Sequence, residues 1–174
     1  MRSFLTKSPQ VPTRGRWIFA LVLSTVLADA LANATIPYSP HFRSEVVLHG
    51  WVPQGIANWP PNDGFARTPV QVILQPGTLI DQFSTPYGNF FFAAGTPYRK
   101  RSYPYICDEL FYNMYRVLVP TPVLMGKMAP WFEEPGGGVQ YKAYVSGDTL
   151  LRDAKIELVV GLFPGFKSPS KPCD

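Results

Sequence analysis

Cysteine and histidine are nearly missing from this chain, and their scarcity removes whole classes of chemistry. Among 174 residues stand only Cys107, Cys173, His41 and His49. There is no C-x-x-C pair and no Cys/His cluster, so a structural zinc site or a dithiol redox motif lacks its ligand set. His41 and His49 are eight residues apart and read as ordinary polar side chains rather than metal ligands. Charge is also thin, at 16%, while hydrophobics reach 46% and aromatics 14%. A disordered chain needs the reverse balance. Long helical windows are missing because 19 prolines and 14 glycines interrupt them. What remains is one domain of ordinary size, turn-rich and mainly β.

Long apolar runs are equally scarce. Trp17 to Ala28 is a run of 12, broken by Ser24 and Thr25, well short of the roughly 20 residues of a membrane span. Arg2, Lys7, Arg14 and Arg16 precede it, and Ala30-Leu31-Ala32 follows. A basic n-region, a short h-region and an A-x-A site together predict a secretory signal peptide over residues 1–32, with cleavage before Asn33 and no membrane anchor afterwards. Asn33-Ala34-Thr35 is the sole N-glycosylation acceptor sequence. The formal charge of +4 is concentrated there: residues 1–32 carry a net +3 and the remaining 142 only +1. A near-neutral domain has no electrostatic footprint for nucleic acid, and that partner class is disfavoured. In an oxidising compartment Cys107 and Cys173 suggest one disulfide that ties down a Pro/Ser/Lys-rich tail; two unpaired thiols are the alternative.

Residues 33–66 are irregular, with Pro37, Pro40, Pro53 and Pro60-Pro61 among Trp51, Trp59 and Phe65. Val70–Leu74 is a β-branched strand closed by Pro76-Gly77. Further strands are expected at Gly88–Ala93, Met114–Val119, Val139–Val145 and Ile156–Val160, with short helical turns over Cys107–Tyr112 and Thr149–Asp153. Val139, Tyr141, Ala143 and Val145 alternate with Gln140, Lys142 and Tyr144, the pattern of a half-buried strand. The G-x-S-x-G, G-x-x-x-x-G-K and H-E-x-x-H motifs are all absent. Asp148 with Asp153, and Glu133 with Glu134, read as solvated charges rather than a glycosidase pair.

Three segments are distinctive together: Trp59-Pro60-Pro61-Asn62-Asp63-Gly64-Phe65; Leu79-Ile80-Asp81-Gln82-Phe83 running through Gly88-Asn89-Phe90 to Gly95-Thr96-Pro97-Tyr98-Arg99-Lys100-Arg101; and Ala129-Pro130-Trp131-Phe132-Glu133-Glu134-Pro135-Gly136-Gly137-Gly138-Val139-Gln140-Tyr141. In this order and spacing they resemble the TNT domain family, named for the tuberculosis necrotizing toxin and including secreted fungal NAD glycohydrolases. The resemblance covers about residues 55–160 and implies a single domain over 33–174. It implies an α+β, mainly β fold: a central antiparallel sheet with short helices and a loop-rich N-terminal region.

The implied activity is hydrolysis of the nicotinamide–ribose bond of NAD, with NAD as substrate and no resident cofactor or metal. The implied setting is extracellular or at the cell surface, and a homodimer is compatible with it. Residue by residue, the resemblance makes Gln140 a group that orients a ribose hydroxyl or the attacking water, Arg101 a fork for phosphate oxygens, and Phe90 a platform for nicotinamide. Phe83 and Gly138 join Phe90 as substrate-contacting positions. Each also has a structural reading: Phe90 as core filler, Arg101 as a surface ion-pair partner, Gln140 as a solvated strand residue. The family reads Asp-Arg-aromatic-Gly where this chain has Asp81-Gln82-Phe83-Ser84. Gln82 lacks the guanidinium, so the alternative function is a catalytically impaired, secreted nucleotide-binding or interaction protein of the same fold. Gln82→Arg is then expected to raise hydrolysis.

Overall fold

A computed structural model describes residues 40–50 and 57–173, which belong to one unit, Pro40–Asp174. The expected signal segment and Asn33 lie outside the described residues. Seven strands follow one another: β1 (Val70–Leu74), β2 (Leu79–Gln82), β3 (Phe90–Ala93), β4 (Tyr112–Val117), β5 (Thr121–Lys127), β6 (Val139–Ala143) and β7 (Ile156–Leu162). They form one antiparallel sheet in the order β1-β5-β6-β3-β2-β4-β7. Two α-helices accompany it among the described residues, α1 (Ser44–Leu48) and α2 (Gly147–Arg152). The mainly β architecture expected from composition is what the chain adopts.

Local chemistry explains the elements. Pro76-Gly77 ends β1 because Gly77 takes φ +88°, a left-handed conformation that costs glycine little, and its N–H reaches the Val117 carbonyl at 2.8 Å. Ser146 caps α2 by accepting the Thr149 N–H at 3.2 Å, and Asp148 meets Arg152 at 3.4 Å one turn on.

Side chains alternate across strands, so register sorts them onto two faces. The first face carries Ile80, Phe91, Tyr115, Val117, Val123 and Ala143, packed with Leu74, Ile156 and Leu150 of α2. Burying each large apolar side chain there is worth about 1.5–3 kcal/mol. On the second face Asp81 lies opposite Phe92, and Phe92 opposite Gln140. Two 3-10 turns, Tyr98–Arg101 and Cys107–Glu109, cover this face, with Phe83, Tyr98, Leu110 and Tyr112 as their buried core. Hence Gln140, near the start of β6, is buried, where the sequence pattern alone suggests an outward position.

Cys107 and Cys173 form a disulfide, with their Cα atoms 5.7 Å apart. The tail is further held by Tyr98 N–H donating to Pro172 at 2.9 Å and by Lys171 Nζ donating to the Asp108 and Leu110 carbonyls at 3.1 and 3.0 Å. A cavity of about 470 Å³ lies beside this tail, lined by Pro97, Asp108, Lys167, Ser168, Lys171 and Cys173 among others, and no sequence-predicted catalytic or substrate-contacting residue borders it.

Candidate active site

The triple glycine leads into β6 through a tight contact. Gly136 and Gly137 take φ +62° and +85°, which L side chains resist. Gly138 donates its N–H to the Lys100 carbonyl at 3.0 Å, and a Cβ there would lie 2.7 Å from that oxygen and 2.8 Å from Thr96 Cγ2. Its glycine therefore lets the 96–101 turn press on the start of β6. That pressure fixes where Gln140 projects.

Gln140 donates from Nε2 to the Asp63 carbonyl at 2.9 Å. The carbonyl is presented by the Asn62-Asp63-Gly64 turn, in which Asn62 and Asp63 both take left-handed φ, +54° and +55°. Asn and Asp are the non-glycine residues that tolerate this region best. Two residues further along the same face of β6, Lys142 places Nζ 2.7 Å from Asp63 Oδ2 and 5.6 Å from the centroid of the Phe90 ring. Phe90 and Lys142 are direct cross-strand partners on β3 and β6. Phe90, Gln140, Lys142 and Asp63 thus converge on one patch. Lys142 is 27% exposed and Asp63 47%, so this patch is reachable from solvent.

Arg101 sits on the same face but deeper, fully buried. Nη1 and Nη2 fork onto the Asp81 carboxylate at 2.5 and 2.9 Å, and Nε and Nη2 donate to the Thr96 carbonyl at 3.0 and 2.6 Å. Its guanidinium stands 4.8 Å from the ring centroids of both Phe83 and Phe92. Asp81 also accepts from Tyr112 Oη at 3.0 Å and from the Gly95 N–H at 3.0 Å. Burial first, then the Asp81 charge, holds the Tyr112 hydroxyl far above its ordinary ionisation range. Phe83 is buried as well, edge-on to Tyr98 at 5.0 Å. Arg101, Phe83 and Gln140 are buried in this region, while Phe90 is half-exposed at its edge.

Gln82 is set apart. Strand alternation puts it on the α2 side of the sheet, opposite to Asp81, with 2% of its surface exposed. Its Oε1 is buried without a hydrogen-bond partner among the described residues. A Cβ on Gly88 would lie 2.6 Å from its Nε2, and one on Gly147 would lie 3.5 Å from its Oε1. Gln82 therefore packs beneath the 86–89 loop that leads into Phe90, not beside Gln140.

The sequence reading did not single out Asp63, Asp81 or Lys142 as site residues. A signal for Lys142 was present: it lies two residues after Gln140, hence on the same strand face. Asp63 and Asp81 fell inside the distinctive segments, but no local pattern showed their roles, since their partners come from distant parts of the chain.

With this geometry in place, the chain can be set beside known proteins. A family model described as Tuberculosis necrotizing toxin matches residues 73–159, and the chain belongs to that family. It is 37% identical over 114 residues to the conidial surface nicotinamide adenine dinucleotide glycohydrolase nadA of Aspergillus fumigatus, an alignment covering 58% of this chain and 49% of that protein. The chain thus spans about half the length of that curated relative. Among solved structures, it resembles tuberculosis necrotizing toxin complexed with its immunity factor at 17% identity and a TM-score of 0.47, covering 58% of this chain and 61% of that one. A second chain, solved with its cognate immunity protein, matches at 17% identity and a TM-score of 0.43, covering 62% and 89%.

Proposed function

We propose that the chain is a secreted or surface-exposed NAD glycohydrolase that releases nicotinamide and ADP-ribose. The observation that carries this reading is the patch of Phe90, Gln140, Lys142 and Asp63 in a member of this family. The 37% identity to a fungal surface enzyme of that activity supports it. Water attacks the ribose anomeric carbon, and the C–N bond breaks with its electron pair passing to the nicotinamide ring nitrogen. The cationic ring leaves neutral, so no general acid is required. The water's proton goes to solvent.

The protein's task is then positioning and charge stabilisation. Phe90 offers its half-exposed ring to nicotinamide. With Nε2 of Gln140 committed to Asp63, its Oε1 is the atom placed to accept from a ribose hydroxyl or the attacking water. Arg101 acts as a positioning residue that fixes the 96–101 turn, and Gln82 as one that supports the loop before Phe90. Neither a resident cofactor nor a metal enters this scheme. Secretion is supported by the apolar run at Trp17–Ala28, the disulfide and the surface location named for the relative.

The test is chromatography of NAD incubated with purified, folded protein, with equal nicotinamide and ADP-ribose expected. A second reading is nucleotide binding without turnover, in a chain whose position 82 holds an uncharged Gln packed away from Gln140. Folded protein that binds NAD but leaves it intact would select that reading.

A further inference from the structure

Hydrolysis of NAD requires a site for its diphosphate, and the residue best suited by type is unavailable by geometry. Arg101 has its three guanidinium nitrogens engaged by Asp81 and Thr96 and is wholly buried. A diphosphate reaching it would have to displace a buried carboxylate and open the Phe83–Phe92 sandwich. Removing one partner of a buried pair costs about 3–5 kcal/mol.

We infer that Lys142 is the diphosphate-binding cation of this site and that Asp63 is the internal carboxylate the substrate displaces. The inference rests on the proposed NAD-site reading. Lys142 is the cross-strand neighbour of Phe90 and lies two residues from Gln140 on one strand face. Among the described residues its one anionic contact is Asp63 Oδ2 at 2.7 Å, in a pair that is 27% and 47% exposed. Pairs this exposed contribute about 0–1 kcal/mol, so exchange for a diphosphate is inexpensive.

A second feature requires Lys142 to move when substrate enters. Its ammonium lies 5.6 Å over the Phe90 ring, where a cationic nicotinamide would stack. Two cations on one ring face repel. A flexible ammonium, unlike the fixed Arg101 fork, can swing from ring and carboxylate onto phosphate oxygens. Asp63 stays in place during the exchange because its main-chain carbonyl is held by Gln140 at 2.9 Å. The resting ion pair thus screens the site against anions weaker than a diphosphate.

The assignment predicts opposite effects at the two ends of one ion pair. Binding of ADP-ribose and of nicotinamide riboside is measured by calorimetry on folded wild type, Lys142→Gln, Lys142→Arg and Asp63→Asn. Lys142→Gln should weaken ADP-ribose binding by about 10- to 100-fold, the worth of a charge-assisted hydrogen bond, and should not weaken the riboside, which has no phosphate and whose cationic ring no longer meets the ammonium. Lys142→Arg should restore most of the loss. Asp63→Asn, which keeps a residue tolerant of left-handed φ, should tighten ADP-ribose by about two- to fivefold by removing the competitor.

A merely structural pair would weaken binding from either end. Equal loss for both ligands in Lys142→Gln, no loss for ADP-ribose, or weaker binding in Asp63→Asn overturns the assignment, as does a wild type that fails to bind ADP-ribose. If ADP-ribose binds with this pattern while NAD stays intact, the hydrolase reading fails and the diphosphate site stands. If NAD is hydrolysed but Lys142→Gln leaves ADP-ribose affinity unchanged, the hydrolase reading stands and the Lys142 assignment fails.

Discussion

One sheet buries two faces by different physics. On the α2 side, Ile80, Phe91, Tyr115 and Val123 meet Leu150 and Ile156 without a charge among them. On the opposite side Asp81 and Arg101 are as deeply buried as any phenylalanine, and Tyr112, Thr96 and Gly95 complete their hydrogen bonds. Apolar packing is non-directional and tolerates rearrangement of similar volume. A satisfied polar network is directional and fixes distances. The candidate site lies on the polar face, where the 96–101 turn, the start of β6 and the Asn62–Gly64 turn must meet in register. The apolar face supplies adhesion; the polar face supplies position.

Breaking the network should have the largest effect. Asp81→Ala leaves a fully buried guanidinium unpaired and is expected to cost about 3–5 kcal/mol, read as a shift in the urea midpoint. Phe91→Ala on the other face is expected to cost a similar 3–5 kcal/mol through its cavity. The faces differ in rescue. Replacing Arg101 as well, by Met, should recover much of the Asp81→Ala loss, because the orphaned charge goes with it. A double variant as unstable as the sum of its parts would contradict the claim that desolvation dominates on that face.

Gln140→Ala separates position from stability. Nicotinamide release should fall by about 10²–10³ while the urea midpoint moves little, since one hydrogen bond to a half-exposed turn is worth about 0.5–1.5 kcal/mol. Loss of activity in step with loss of fold would remove Gln140 from the chemistry.

These faces were unevenly legible in the sequence. Val70–Leu74, Phe90–Ala93, Val139–Ala143 and Ile156–Leu162 announced themselves by β-branched and aromatic content, and the two cysteines by their isolation. β5 did not, because Pro122 and Gly126 interrupt its apolar pattern. Pro122 stands near the strand's start, where a missing N–H is tolerated, and Gly126 leaves room for Phe65, whose Cδ1 would lie 2.6 Å from a Cβ there. β2 did not either, because Asp81 and Gln82 are polar at buried positions and spoil both periodicities. Such positions are set by tertiary partners, here Arg101 for Asp81, and no local pattern encodes them. The resemblance singled out Gln140 and Phe90, which the fold sets on one face of the sheet, but could not tell which strand face Gln82 takes.

Alkaline titration compares the faces directly. Burial raises Tyr115 on the apolar face and Tyr103 on the polar face, each to about 12 from an ordinary 10.0. For both, the folded value exceeds the unfolded one, so their stabilising contribution is complete below pH 10 and lost as pH rises through about 12. Tyrosinate absorbance from these two buried rings should rise only towards pH 12, together with loss of structure. A single stage near 10 with the fold intact would show that neither ring is desolvated.

The smallest effect is expected at Gln82, and it sharpens the contrast because Gln82 is the polar exception on the apolar face. Its Oε1 is buried without a partner among the described residues, a condition that costs about 1–3 kcal/mol relative to a satisfied group. Met is unbranched like Gln, close in volume, and carries no acceptor to orphan. Gln82→Met should therefore leave stability unchanged or raise it by about 1 kcal/mol, read again in urea. Nicotinamide release should stay within about twofold of wild type, because Gln82 supports the 86–89 loop by packing against Gly88 and Gly147. Gln82→Arg should behave differently: a longer, charged side chain enters a space bounded by those two backbones, on the face away from Gln140. It is expected to destabilise by about 1–3 kcal/mol without a gain in hydrolysis. A rise in hydrolysis in Gln82→Arg would mean that position 82 can reach the other face, and the separation of the two faces near Phe90 would then be incomplete.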